Sequence, residues 1–278
     1  MKRFNRIFTV AVFIFLYAPI LLLVAASFSS GTSLSNFEGF TLSRYSELFS
    51  DKNMLGLLLN SLIVALISSV VASVFGTVSC FGIRRLGRRA QKTVMTVTNI
   101  PMTNPEIVTG ISLALLFVFI GQMLKLKDVM GFWTLLIAHI TFNLPYVILS
   151  VMPKLNQLDR HVGEAALDLG CTPIKAFFKV TLPEILPGII SGGLMAFTMS
   201  LDDFVISYFV YGPAFTTLPV EIYTYTKKPL PPKLYALFTV LFLAILLVMI
   251  VMNIVQARDD NRSRRNKNAK GEITLTRI

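Results

Sequence analysis

Three carboxylates interrupt runs that are otherwise apolar. Asp202 and Asp203 stand in Ser200-Leu201-Asp202-Asp203-Phe204-Val205, and Glu106 follows Pro101, Asn104 and Pro105. An acid at bilayer depth costs about 2.5–3.5 kcal/mol to insert, so such a group usually faces a cavity and acts there. No base or nucleophile stands beside these acids, so the roles open to them are electrostatic attraction of a cation, or else capping of helix ends and pairing with lysines on the outer loops. A second constellation reads Glu164-Ala165-Ala166, three residues, Gly170, nine residues, then Val180-Thr181-Leu182-Pro183. It has no reactive group either. Its small side chains suit close approach to another surface, and its work is mechanical.

Other chemistries lack their residues. The only histidines are His139, on an apolar run, and His161. No His-Glu-x-x-His is present, and Gly110-Ile111-Ser112-Leu113-Ala114 lacks the second glycine of a serine-hydrolase elbow. Gly82 to Gly87 is followed by Arg88-Arg89 rather than the Lys-Ser/Thr of a phosphate-binding loop. Cys80 and Cys171 lie far apart without metal-ligand spacing. The expectation is therefore no catalytic residue, no metal ligand and no cofactor on this chain, with His139 a hydrogen-bonded structural histidine.

The elements that must position these acids are membrane helices. The 278 residues are 54% hydrophobic and the mean hydropathy is +0.68, a composition that excludes an ordinary soluble domain. A helix needs about 20 apolar residues to cross a bilayer. Six runs qualify, at 7–28, 55–82, 94–120, 132–152, 185–210 and 234–256. The first follows Lys2, Arg3 and Arg6 but exceeds the roughly 7–15 apolar residues of a signal peptide, so it is expected to remain as a helix.

Six crossings put both termini on one side. The net charge of +11 does not call for nucleic acid, because the basic residues are distributed by side. Only Arg44, Lys52, Lys125, Lys127, Lys227, Lys228 and Lys233 fall opposite the termini, out of 26 Lys and Arg. The positive-inside rule then places the termini, the loop 153–183 and the basic tail 257–278 in the cytosol. The chain is expected to form a single transmembrane domain over 1–278.

Within that frame the loop reads as helix, turn, helix. Glu164, Ala165 and Ala166 open a helix, and Gly170 can end it in a left-handed turn. Pro173 fits the first turn of a second short helix. Leu182-Pro183 and Pro187 lead into the next span. Counted from Lys92, Glu106 lies about 21 Å along its helix, and counted from Glu184, Asp202 lies about 27 Å along. Pro101 and Pro105 remove backbone donors, and a broken helix at that depth is tolerated where it lines a cavity. Neighbouring helical positions diverge by about 100°, so Asp202 and Asp203 cannot both face one cavity squarely. Phe204, Tyr208, Tyr211 and Trp133 can stack on amines, although aromatic residues also gather at membrane interfaces. Gly188 and Gly192 form a small-residue pair suited to a close helix contact.

The Glu164–Pro183 pattern resembles the EAA loop of ABC-importer permeases, E-A-A-x3-G-x9-I-x-L-P, with Val180 in place of Ile. Ser200-Leu201-Asp202-Asp203-Phe204-Val205 is similar to the S-x-D-D-x-V stretch of the C-type permease in spermidine/putrescine importers. Phe132-Trp133, Ala138-His139-Ile140-Thr141-Phe142-Asn143-Leu144-Pro145, Asn104-Pro105-Glu106-Ile107-Val108 and Tyr211-Gly212-Pro213 extend that likeness. Glu106 stands where the family tends to have Asp, and Arg44 precedes Tyr45 where the family often has Trp.

The resemblance implies an all-α polytopic type I ABC importer permease, with six transmembrane helices and a cytosolic coupling loop. It implies a bacterial inner-membrane location and ATP-driven polyamine uptake by alternating access. The implied partners are a homologous second permease, two ATPase subunits that bind ATP and Mg, an extracytoplasmic binding protein and the lipid bilayer. Glu164, Ala165, Ala166, Gly170, Leu182 and Pro183 would meet the ATPase. Glu106, Ser200, Asp202 and Asp203 would line the substrate path. Two other readings are an importer for another cationic or small organic solute and an ATPase-independent channel.

Overall fold

The computed structural model describes residues 2–31, 38–226, 231–247, 249–251 and 253–254. Lys227 and Lys228 and the basic tail 257–278, which enter the charge argument, lie outside the described residues. Among the described residues twelve α-helices follow in order: α1 Lys2–Ser27, α2 Ser43–Ser50, α3 Lys52–Arg85, α4 Arg88–Thr103, α5 Glu106–Met123, α6 Phe132–Gln157, α7 Arg160–Asp168, α8 Pro173–Ala176, α9 Leu182–Asp202, α10 Val205–Val210, α11 Leu218–Thr226 and α12 Lys233–Val251. A π-helical turn, Phe177–Thr181, joins α8 to α9. Among the described residues the only β-type pairings are the isolated bridges Ser29–Phe40 and Gly212–Phe215.

Among the described residues, six helical stretches are long and apolar enough to cross a membrane: Phe4–Ser27, Lys52–Arg85, Glu106–Met123, Phe132–Gln157, Pro173–Asp202 and Lys233–Val251. The chain is thus a multi-pass membrane protein. Two runs differ from the sequence expectation. The run 94–120 is divided into α4 and α5, because Pro105 has no N–H to donate and forces Asn104 into extended backbone, φ −80° and ψ 141°. The run 185–210 ends at Asp202, where Asp203 turns extended and a separate short helix begins. At its other end the fifth span reaches back through the π turn to Pro173. Pro183 does not stop it: it stands in the first turn of α9, directly after the π turn, where the Leu182 amide bonds back to the Phe177 carbonyl.

Contacts group the described residues into two compact units. One lies within Met1–Leu58 and Glu221–Leu247, the other within Leu59–Val220 and Val248–Ile278. In the first, Arg44 is a buried clamp, 5% exposed. Its guanidinium donates to the carbonyl oxygens of Ala26 and Gly31 and lies 5.5 Å from the centre of the Tyr235 ring. Its charge is therefore spent on the structure. Nearby, Ser27 Oγ and Tyr45 Oη are 2.7 Å apart, and Phe28 stacks on Phe40 at 5.5 Å. Asp51 caps α3 by accepting from the amides of Asn53 and Met54, and Lys233 Nζ reaches its other oxygen at 2.7 Å.

In the second unit α3, α6 and α9 pack together around Ala72, Cys80, Val147, Val151, Leu155, Ile185 and Ala196. Lipid is as apolar as these side chains, so van der Waals fit rather than water exclusion must hold the helices together. Glycines make the fit. A Cβ on Gly188 would come within 3.0 Å of the Ser150 carbonyl oxygen, and one on Gly192 within 3.0 Å of Val147 Cα. The pair anticipated from its spacing is thus the α6–α9 seam.

Candidate functional site

The broken helices meet around a cavity of about 220 Å³. Pro101 and Met102 come from the end of α4, Glu106 and Thr109 from the first turn of α5, and Phe142 and Tyr146 from α6. Met199 and Asp202 come from the end of α9, and residues 203–206 from the break and the start of α10. Two acids about 100 residues apart in sequence, Glu106 and Asp202, are both exposed on this wall. Their helical positions differ electrostatically. Glu106 sits at a helix N-terminus, which favours a carboxylate, whereas Asp202 is the last residue of α9, where the helix dipole disfavours it by about 0.3–1 kcal/mol. A cation placed beside Asp202 relieves that repulsion and meets apolar and aromatic walls for its alkyl portion.

Asp203 has a different setting. Its side chain is 5% exposed. Oδ2 accepts from the Ser207 amide at 2.8 Å and the Ser207 hydroxyl at 2.7 Å, and Oδ1 accepts from the Ile206 amide at 3.3 Å. The carboxylate thereby caps the first turn of α10, whose opening N–H groups would otherwise lack partners. His139 of α6 is 1% exposed. Its Nε2 lies 2.9 Å from Ser207 Oγ and 3.6 Å from Asp203 Oδ2, and its Nδ1 bonds with Ser200 Oγ. Ser200 is buried behind the wall rather than lining the cavity, and reaches Ser68 of α3 at 3.1 Å.

Of the four residues singled out for the path, three share the cavity and Ser200 stands one layer behind. Phe142 and Tyr146 escaped the sequence reading, as did Ser207 as a partner of His139. A signal was present in the i, i+4 spacing of Phe142 with Tyr146 and of His139 with Asn143, which places each pair on one face of α6.

The second constellation folds as one compact device. Asp159 caps α7 by accepting from the His161 amide at 3.0 Å. Glu164 is exposed, with Oε2 3.1 Å from His161 Nδ1. Ala165 is exposed while Ala166 is buried. The helix ends at Gly170, φ +82°. There the Gly170 amide donates to the Leu167 carbonyl at 2.9 Å and the Cys171 amide to that of Ala166 at 3.1 Å, the paired bonds of a Schellman turn. Thr172 then caps α8, with Pro173 in its first turn. Phe177 packs edge-on against Phe81 of α3 at 5.5 Å, and Arg84 donates to the Leu158 carbonyl at 3.1 Å. Leu169, Ile174 and Phe178 are left exposed on the device. Leu182 is half-buried and Pro183 exposed at the start of α9.

Comparison with known proteins adds three findings. Residues 69–265 match the family described as binding-protein-dependent transport system inner membrane component. The putrescine transport system permease protein PotI of Escherichia coli K12 is 38% identical over 251 residues, covering 90% of this chain and 89% of that protein. The spermidine/putrescine transport system permease protein PotC of the same organism is 36% identical over 255 residues, covering 92% and 94%. A chain in the crystal structure of a bacterial ABC transporter involved in import of the acidic polysaccharide alginate covers 95% of each chain, with a TM-score of 0.66 at 15% identity. That likeness is one of fold, and the fold is that of a type I ABC importer permease.

Proposed function

This chain belongs to the family of inner membrane components of binding-protein-dependent transport systems, and we propose that it is a permease subunit of an ATP-driven polyamine importer. The observation that carries the reading is the pairing of Glu106 with Asp202, both exposed on one cavity wall among Phe142, Tyr146 and Phe204. Two carboxylates and aromatic rings suit a flexible alkyl chain bearing separated ammonium groups. The similarity to putrescine and spermidine/putrescine permeases supports the same class of solute.

The chain would form half of the translocation path and a homologous permease the other half. Its termini would be cytosolic. Residues 160–183 would dock on one of two separate ATPase subunits, which bind ATP and Mg, and this chain would hold no cofactor of its own. Glu164, Ala165 and Ala166 would present the docking helix, Gly170 would set its angle to α8, and Leu182 and Pro183 would pass movement into α9. A loaded extracytoplasmic binding protein would deliver the substrate. The acids must attract a polyamine without holding it, since a deep well would block release.

The test is uptake of radiolabelled putrescine and spermidine by vesicles containing the whole complex, with and without ATP. Removing one charged contact is worth about 1.5–3 kcal/mol, so Asp202→Asn or Glu106→Gln should lower ATP-dependent uptake by about 10- to 150-fold. No polyamine uptake by a complex with working ATPase subunits would keep the permease assignment and discard this substrate.

A further inference from the structure

We propose that His139 is a positioning residue for the cation path: it pins the break between α9 and α10, and so holds Asp202 in the cavity wall that it shares with Glu106. This rests on the polyamine reading above. His139 never reaches the cavity itself, being 1% exposed, yet it touches both sides of the break. Its Nδ1 bonds Ser200, two residues before Asp202, and its Nε2 meets Ser207, which donates to Asp203. Its ring also lies 5.2 Å from that of Phe142, a residue of the cavity wall.

The proton count fixes the directions. A serine hydroxyl has one proton. Ser207 gives its proton to Asp203 Oδ2 at 2.7 Å, so at the 2.9 Å contact with His139 it is Nε2 that donates. At the other nitrogen both ionisation states are accommodated. With neutral imidazole, Ser200 donates to Nδ1. With imidazolium, Nδ1 donates to Ser200, Ser200 donates to Ser68, and Ser68 donates to the Ala65 carbonyl at 3.2 Å. Only two hydroxyls rotate between these states, and both anchors persist. Asn143 Nδ2 donates to Ser68 at 3.3 Å in either case. The chain runs from Ser68 of α3 through Ser200 of α9 and His139 of α6 to Ser207 of α10, so the break is tied to α3 and α6, which do not themselves carry the acids. A residue with a donor facing Ser207 and a hydrogen-bonding group facing Ser200 is required, and an apolar side chain of similar size leaves the break without its tie.

The experiment is a double-mutant cycle on the assembled importer, reading putrescine transported per ATP hydrolysed at saturating binding protein. His139→Leu should lower this ratio about tenfold, and adding Asp202→Asn to it should cost less than about twofold more, because the aspartate is already misplaced. His139→Gln, whose amide offers an NH2 donor group and a carbonyl acceptor, should restore the ratio to within about threefold of wild type. If His139→Leu does not assemble, Ser207→Ala cuts the same chain with a smaller change and takes its place in the cycle. Losses that multiply between the two sites would overturn the positioning role while leaving polyamine transport standing. So would a Gln variant no better than Leu. A wild-type importer that moves no putrescine would overturn the substrate reading and this inference together.

Discussion

Asp203 accepts three hydrogen bonds from α10, while Asp202, one residue earlier, is exposed on the cavity wall. The helical angle between neighbours made two different fates legible in the sequence. It did not show which acid took which, because that is decided by His139 and Ser207, 68 positions apart in the chain. Arg44 was misleading for the same reason. As a letter it is a cation where a polyamine path would not want one, and only the folded backbone shows its charge absorbed by two carbonyls and a ring. A third residue-scale feature gives a pH test. The hydrogen bond from Lys233, aided by the amides of Met54 and Asn53, holds the Asp51 carboxyl below its ordinary value of 3.8. A carboxyl depressed on folding stabilises the folded state above its unfolded pKa, and that contribution fades as pH falls through the folded value. Asp51→Asn should therefore melt below wild type at neutral pH, and the two melting temperatures should converge as an acid titration passes below the ordinary carboxylate range. A gap that persists there would remove the ion pair as its cause.

Gly170 carries the next level of argument, since one dihedral sets how α7 leaves α8. At φ +82° an L side chain pays about 1–2 kcal/mol, and a β-branched one meets further restriction. Open space surrounds the position, so Gly170→Val acts through the backbone rather than by collision. The expected outcome is a permease that inserts and assembles normally but moves several-fold less substrate per ATP hydrolysed. Normal coupling in that variant would show that the turn does not set the angle of the docking helix. The helix–turn–helix was legible because its signals are local: an alanine pair, a glycine separated by nine residues from Val180-Thr181-Leu182-Pro183, and Pro173 in between. The direct run of α8 into α9 was not. Leu182-Pro183 reads as the end of a loop, yet the π turn at Phe177–Thr181 carries the helix through. Such turns recur at functional joints in helices. The break at Asn104–Pro105 lies between these cases, since proline announces an interruption without saying where the new helix begins.

Six apolar stretches make the chain a multi-pass membrane protein, and the placement of the basic residues predicts that residues 153–183 lie on the cytosolic side. The two cysteines provide a direct readout. Cys80 is fully buried between α3 and α6, whereas Cys171 is half-buried in the turn between α7 and α8. A thiol needs solvent access to react, so a membrane-impermeant maleimide should modify Cys171 alone. In inverted membrane vesicles it should react without permeabilisation, and in right-side-out vesicles only after it. If the exposed Leu169 and Ile174 are covered by an ATPase subunit, adding that subunit should slow the reaction in inverted vesicles, while Cys171→Ser should abolish it. Labelling from the right-side-out face would reverse the orientation and put the loop beyond the reach of any cytosolic ATPase. Labelling from the inner face without protection would keep the orientation and remove the turn from the docking surface.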